Sequence, residues 1–343
     1  MANVPILRRT RLGRVRIAGA IRAGRRLPLI PLFVLLSVVV AGITAPWISP
    51  HAPNKGTLSD RNLPAFWAGE RTALKTVVEE VELGVEHRQI SLEKAREIRE
   101  DTVLGEEVEV VTRAGGSTKY LLGTDHLGRD LLTRIIHGAR ISLILAAITL
   151  LVGGTVGTVL GLVSGWYGGW VDELIMRLVD AELALPLILI ALVLVVAIGS
   201  SFGLIIVIIA IWIWPRFARM VRGEVLQLKN MDYVALARVA GASTPRIILK
   251  HILPGTVNTV IIIATLQVGA VLLVEAALSF LGAGVPPPTA AWGSMVADGR
   301  DRLADAWWIA TMPGLAIMLM VMSLNLFGDW LRDTLDPRLR QLE

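Results

Sequence analysis

Five apolar stretches, each at least as long as a bilayer core is thick, leave this chain few ways to fold. They run over residues 27–48, 141–166, 183–215, 257–281 and 307–327. In hydrocarbon every backbone N–H and C=O must be satisfied within the protein. Runs of roughly 20 apolar residues are therefore expected to be spanning helices. The stretch 183–215 is too long for one span, and Gly199-Ser-Ser-Phe-Gly203 divides it at a tight outer turn into spans three and four. The sequence predicts an all-α polytopic membrane protein of about six transmembrane helices. Cysteine is absent from the 343 residues, which excludes disulfides, thiol nucleophiles and cysteine-bound metals.

Charge supplies the orientation. Arg8, Arg9, Arg11, Arg14, Arg16, Arg22, Arg25 and Arg26 precede the first apolar run, with no acid among them. A basic start before an apolar run also opens a secretory signal. Here no small-x-small cleavage site ends the run and further spans follow, so it reads as an uncleaved first span. Positive residues beside spans stay on the cytoplasmic side and suit anionic lipid headgroups. The net charge of +5 collects there and not on a nucleic-acid surface. The expected division is a basic cytoplasmic N-terminus (1–26), the first span (27–49), an extracytoplasmic insert (50–122), a core with five spans (123–330) and a cytoplasmic tail (331–343). Within the core, 222–255 is a cytoplasmic loop, marked by Arg222, Lys229, Arg238, Arg246 and Lys250.

The insert is a different kind of sequence. Residues 51–120 carry ten Lys/Arg and thirteen Asp/Glu. Residues 70–101 read as two amphipathic helices, the second opening at Ser91 as N-cap. EVEVVT, a glycine turn and TKYLL read as a β-hairpin. This makes a small α/β insert whose charges form a solvated face or a docking surface.

Next comes GTDHLGRDLLTR, residues 123–134. Gly123 and Gly128 allow tight turns, and Asp125 and Asp130 flank Arg129. The chemistry suits a turn held by Asp–Arg hydrogen bonds, a carboxylate pair or a metal loop. His126 and His137 are isolated and make no metal pair. In the second span Gly153, Gly157, Gly161 and Gly165 recur every four residues, which lets another helix approach closely. That partner helix lies in the same bundle or in a second subunit. Asp172, Glu173, Arg177, Asp180 and Glu182 follow as interfacial charges. Pro215 predicts a kink in span four. Glu275 lies inside span five, near its outer end. A carboxylate there is a functional candidate, as a gate residue, and a structural hydrogen bond suits it at least as well.

The apolar rhythm breaks at residues 231–255, MDYVALARVAGASTPRIILKHILPG. The spacing predicts a short helix from Tyr233 to Ala240, a stop at Gly241, and a second short helix after Thr244 as N-cap with Pro245 at its first position. Two short helices at a corner form a knob on the cytoplasmic face, able to carry force to another protein.

These residues carry a family resemblance. Ala235-Leu236-Ala237, Gly241-Ala242 and Leu253-Pro254 resemble the EAA loop of ABC-importer permeases. Residues 123–134 closely resemble the G-T-D-x-x-G-R-D-x-x-[ST]-R signature of the C-type permease subunit in dipeptide, oligopeptide and nickel importers. The stretch after Glu275 and the tail GDWLRDTLDPRLR are also similar. Two positions depart: Ala235 replaces the usual glutamate, and His251 replaces an isoleucine. The resemblance covers roughly residues 120–338 and leaves the insert outside it.

The resemblance implies a type I ABC importer permease fold and a non-catalytic subunit forming half of a peptide pathway. It implies a second, similar permease subunit, two ATPase subunits and an extracytoplasmic substrate-binding protein as partners. ATP and magnesium would then sit in the ATPases, and this chain would need no cofactor, metal or nucleic acid. Tyr233, Ala235, Leu236, Ala237, Gly241, Ala242, Arg246 and Pro254 would couple it to the ATPases. Nickel or oligosaccharide cargo fits the same class. No G-x-x-x-x-G-K-[ST] occurs in the sequence, so the chain has no P-loop of its own. A membrane-embedded enzyme would need a catalytic constellation, and an ion-coupled secondary transporter would need midplane ion ligands. Neither pattern is found in the spans.

Overall fold

A computed structural model describes residues 27–81 and 88–335. The arginine-rich start (1–26) and the end of the tail (336–343) lie outside the described residues.

The first span is α1 (Leu29–Ile48). The second is α3 (Leu131–Tyr167), 37 residues long. It is followed by α4 (Gly169–Ala184), α5 (Leu187–Ile198) and α6 (Phe202–Leu228). A short helix α7 (Asp232–Val239) precedes α8 (Thr244–Phe280), which includes a π-helical turn at Ile248–Ile252. The short helix α9 (Trp292–Arg300) leads to α10 (Trp308–Leu335). Five of these helices are long and apolar enough to cross a membrane, six if the pair α4 and α5 is one bent span.

The spans are apolar all round, so their outer faces need lipid. Only 11% of the α1 window is buried inside the chain, and Ile30, Phe33, Leu36, Val40 and Ile43 are exposed. Inward, Leu131, Leu145, Ile205, Ile209, Ile213, Phe217, Leu278 and Trp308 belong to one core cluster. The glycine ladder explains why α3 lies along α6. A Cβ at Gly153 would stand 2.8 Å from the Ala210 carbonyl oxygen, and one at Gly157 would stand 2.7 Å from the Phe217 Cβ. At Gly161 it would meet the Ala218 carbonyl at 2.6 Å, and at Gly165 the Val225 Cβ at 2.7 Å. The bare faces let the backbones approach, and the ladder faces a helix of the same chain.

Span three differs from expectation. The twelve residues of α5 extend about 18 Å at 1.5 Å per residue, short of a bilayer core of about 30 Å, and α5 meets α4 at 81°. Pro186 at the start of α5 stops α4, because the residue before a proline avoids helical geometry. The helix α6 continues through Pro215. There Arg216 donates to the Trp212 carbonyl at 2.9 Å and lies 3.8 Å over that indole ring.

The insert is an α/β unit of another design. Residues 71–78, expected as a helix, form strand β1 (Arg71–Val78). Between parallel β2 (Gln89–Ser91) and antiparallel β3 (Glu107–Arg113) it is the central strand. Thr72, Thr76, Val77 and Val78 are β-branched and suit a half-buried pleated surface. Val77, Ile90 and Val108 close a small core with Ala95 of α2 (Leu92–Ile98). Ser91 holds the N-cap position of α2 without a side-chain bond. TKYLL does not return on β3 as a hairpin. Gly116 packs so tightly on the preceding loop that a Cβ would meet the Phe66 Cα at 2.8 Å. The chain then turns, burying Tyr120, whose hydroxyl donates to Asp60 at 2.8 Å.

Candidate functional site: the corner between α7 and α8

Only eight residues long, α7 cannot be stable alone, so its packing decides its position. Val234 is fully buried and Ala237 half-buried against Leu162 and Trp166 of α3, Val221, Val225 and Leu228 of α6, and Ile247 and Ile252 of α8. Each fully buried aliphatic side chain contributes about 1.5–3 kcal/mol. Arg238 lies 4.7 Å over the Trp166 ring, adding a cation–π contact.

The helix ends in a Schellman motif. Gly241 has φ +77°, and its N–H donates to the Arg238 carbonyl at 3.0 Å. The Ala242 N–H reaches the Ala237 carbonyl, also at 3.0 Å. This pattern satisfies the last helical carbonyls and needs a left-handed residue, which glycine supplies without a Cβ penalty. Ser243 takes the N-cap position, one residue earlier than expected, so Thr244 and Pro245 are the first helical residues. The second helix is not a separate short one. It runs through the π turn into α8, so the corner is the end of a span. His251 sits in that π turn with its ring 6.3 Å from Tyr233.

The opposite face of α7 is largely exposed, with the Tyr233 ring leaning on His251. Tyr233, Leu236 and Val239 recur every three residues and are 43%, 68% and 87% exposed. Ala235, Arg246 and Pro254 are also exposed. Ala237 and Ala242, by contrast, pack inward.

The sequence marks Asp172, Arg222 and Lys229 only as charges beside spans, and their pairing beneath the corner is not readable from it. Arg222 donates from Nε and Nη2 to the two Asp172 oxygens at 2.5 and 2.6 Å. Ser164 donates to the same carboxylate. Lys229 caps the end of α3 by donating to the Gly165 carbonyl at 2.9 Å. Together they fix α3, α4 and α6 directly under α7. Their only sequence signal is opposite charges at span ends.

At the other end of the bundle, residues 123–134 form a hydrogen-bonded node. Asp125 accepts from the N–H groups of Leu127 and Arg129, both at 2.9 Å, and from Arg129 Nε at 2.6 Å. Arg134 Nε lies 3.5 Å from Asp125 and donates from Nη1 to the Pro53 carbonyl at 3.1 Å. Asp130 caps α3 by accepting from the Thr133 N–H at 3.1 Å. Thr124 accepts from the Leu63 N–H at 2.9 Å and donates to the Asp60 carbonyl. Gly123 and Gly128 both have positive φ. Asp125, Arg129, Asp130 and Arg134 are all buried, and although Asp130 Oδ1 is left without a hydrogen-bond partner, these bonds tie the insert to α3. Trp308 adds α10 by donating to the Thr124 carbonyl at 3.2 Å. Glu275 is 2% exposed and accepts from Ser279 one turn on, at 2.7 Å. The described residues contain no group of three or more side chains arranged to hold a metal ion.

Residues 157–341, from the middle of α3 to the tail, match the family described as the binding-protein-dependent transport system inner membrane component. The chain belongs to that family. A putative peptide transport system permease protein of Brucella suis is 38% identical over 315 residues, 91% of this chain and 88% of the relative. The di/tripeptide transport system permease protein DppC of Pseudomonas aeruginosa is 45% identical over 226 residues, 66% of this chain and 75% of the relative. The glutathione transport system permease protein GsiD of Escherichia coli is 44% identical over the same shares. The MetNI methionine ABC transporter, solved in inward-facing conformations, matches with a TM-score of 0.51 at 16% identity. That match covers 60% of this chain and 98% of the other, and it shows a shared fold. As an inner membrane transport component, the chain is a membrane-embedded permease whose family works with ATPase and binding-protein partners.

Proposed function

We propose that this chain is one of two permease subunits of an ATP-driven importer of short peptides, and that α7 is where two ATPase subunits push on it. One observation carries the proposal: α7 is rooted on one side and exposed on the other. Val234 and Ala237 are fixed to α3, α6 and α8, while Tyr233, Leu236 and Val239 offer an exposed apolar face. Because α8 is continuous with the corner, displacement of α7 reaches a span directly. Packed interfaces with two discrete arrangements convert small local shifts into larger ones.

Hydrolysis would belong to the partners, which hold ATP and magnesium, and the permease would contribute no catalytic group. An extracytoplasmic binding protein would deliver the cargo, and this chain with a similar subunit would enclose the pathway. Peptide cargo is supported by the di/tripeptide, peptide and glutathione named for its relatives. The corner lies in the cytoplasm in this reading, with both termini on the same side. Vesicles containing both permeases and the ATPases, supplied with the binding protein, should accumulate labelled dipeptide only with ATP. Accumulation driven by a proton or sodium gradient without ATP would refute the proposal.

A further inference from the structure

Two cavities of opposite charge adjoin where the insert meets the connection between α9 and α10. The first, of about 340 Å³, is lined by Arg61, Asn62, Arg71 and Arg113, together with Asp305. None of the three guanidinium groups has a carboxylate partner among the described residues. Arg113 is half-buried, 5.3 Å over the Trp308 ring, and its Nε has no hydrogen-bond partner. Its desolvation and the neighbouring Arg71 charge both push its guanidinium below the ordinary arginine value. Without an anion the cluster therefore repels itself.

The second cavity, of about 430 Å³, is lined by His126, Asp298, Asp301, Arg302 and Asp305. Asp301 holds Arg300 at 2.9 Å and Asp298 faces Arg129 at 3.7 Å. Asp305 has no ionic partner among the described residues, and it lines both cavities. The buried Asn62 Oδ1, an acceptor, is also without a partner.

We propose that these adjoining cavities bind a small zwitterion, with its carboxylate on Arg61, Arg71 and Arg113 and its ammonium at Asp305. Guanidinium forks match carboxylate oxygens in pairs. Each cavity falls in the size range of small-ligand sites, about 300–1,000 Å³. A short peptide with free termini has both charges, so the inference deepens the peptide-import reading and takes its ligand class from it. The insert would then contribute directly to holding cargo at the mouth of the permease.

The test uses the full chain in nanodiscs and the dipeptide Ala-Ala. Arg61 and Arg71 are both exposed, so an Arg61→Gln, Arg71→Gln double variant leaves the core intact. Blocking the C-terminus as an amide, blocking the N-terminus with acetyl, and the double variant should each weaken Ala-Ala binding about tenfold or more. Asp305→Asn should weaken the free dipeptide and leave the acetylated form unchanged. Ala-Ala should also protect Arg61 and Arg71 from phenylglyoxal, read by mass spectrometry without any variant. Equal binding of free and blocked dipeptides, no binding, or no protection would overturn the inference. If the assembled complex still imports peptides with ATP while protection is absent, the site is refuted and the importer reading stands. Failure of ATP-driven uptake for every peptide refutes that reading instead.

Discussion

Arg222 grips both oxygens of Asp172, at 2.5 and 2.6 Å, and so clamps α6 to α4 directly beneath α7. The pair is half-buried, and the fork geometry is particular to arginine. Arg222→Ala should lower stability by about 1–3 kcal/mol, and Arg222→Lys should recover only part of that loss. Thermal unfolding in detergent checks both. A lysine variant as stable as the parent would show that a point charge suffices.

The glycine ladder predicts position-specific intolerance. Gly157→Val and Gly161→Val each force a branched side chain into the α6 backbone and should cost about 1–3 kcal/mol. Gly154→Ala is the control, because the nearest atom to a Cβ there is a Phe217 ring carbon at 3.4 Å. The same unfolding measurement should separate the three, with only the control near the parent.

Gly241 is required for its backbone and not for space. Its φ is +77°, and nothing lies within 4 Å of a Cβ built on it. Gly241→Ala should cost about 1–2 kcal/mol through left-handed strain, with Gly241→Asn milder. Gly241→Trp should still insert in the membrane and should separate ATP hydrolysis from uptake in reconstituted vesicles. Unaltered coupled transport by the tryptophan variant would contradict the role given to the corner.

Acid should loosen the insert in a defined direction. The Lys119 ammonium and the Tyr120 hydroxyl hold Asp60 below its ordinary value of 3.8. A carboxylate depressed in the folded state contributes stability that is present above its unfolded pKa, about 3.9. That contribution is lost as pH falls through the lower folded value. Titrating stability downward from pH 5 should show the loss, and Asp60→Asn should flatten that part of the curve.

Much of this architecture is legible in the sequence, because bilayer thickness and backbone hydrogen bonding act on long runs and need no tertiary knowledge. The glycine ladder is visible for a similar reason: a fixed spacing on a helix defines a face. Its partner is not visible, since either another span or another subunit meets the same face. The insert misleads because its charges repeat at helical spacing, while Thr72, Thr76 and Val77 take their geometry from strands β2 and β3. The corner is readable at Gly241 and Pro245, where single residues dictate backbone geometry. The clamp of Arg222 on Asp172 is not, because 50 residues separate its members.

The absence of native cysteine permits the most direct measurement. Leu236→Cys places a unique thiol at the centre of the exposed face of α7. In the assembled complex, a short photo-activated cross-linker attached to that thiol should join residue 236 to an ATPase subunit, and ATP should change the yield. Labelling of that thiol in intact cells by a membrane-impermeant maleimide, with no cross-link to an ATPase, would place α7 on the wrong side of the membrane and contradict the account.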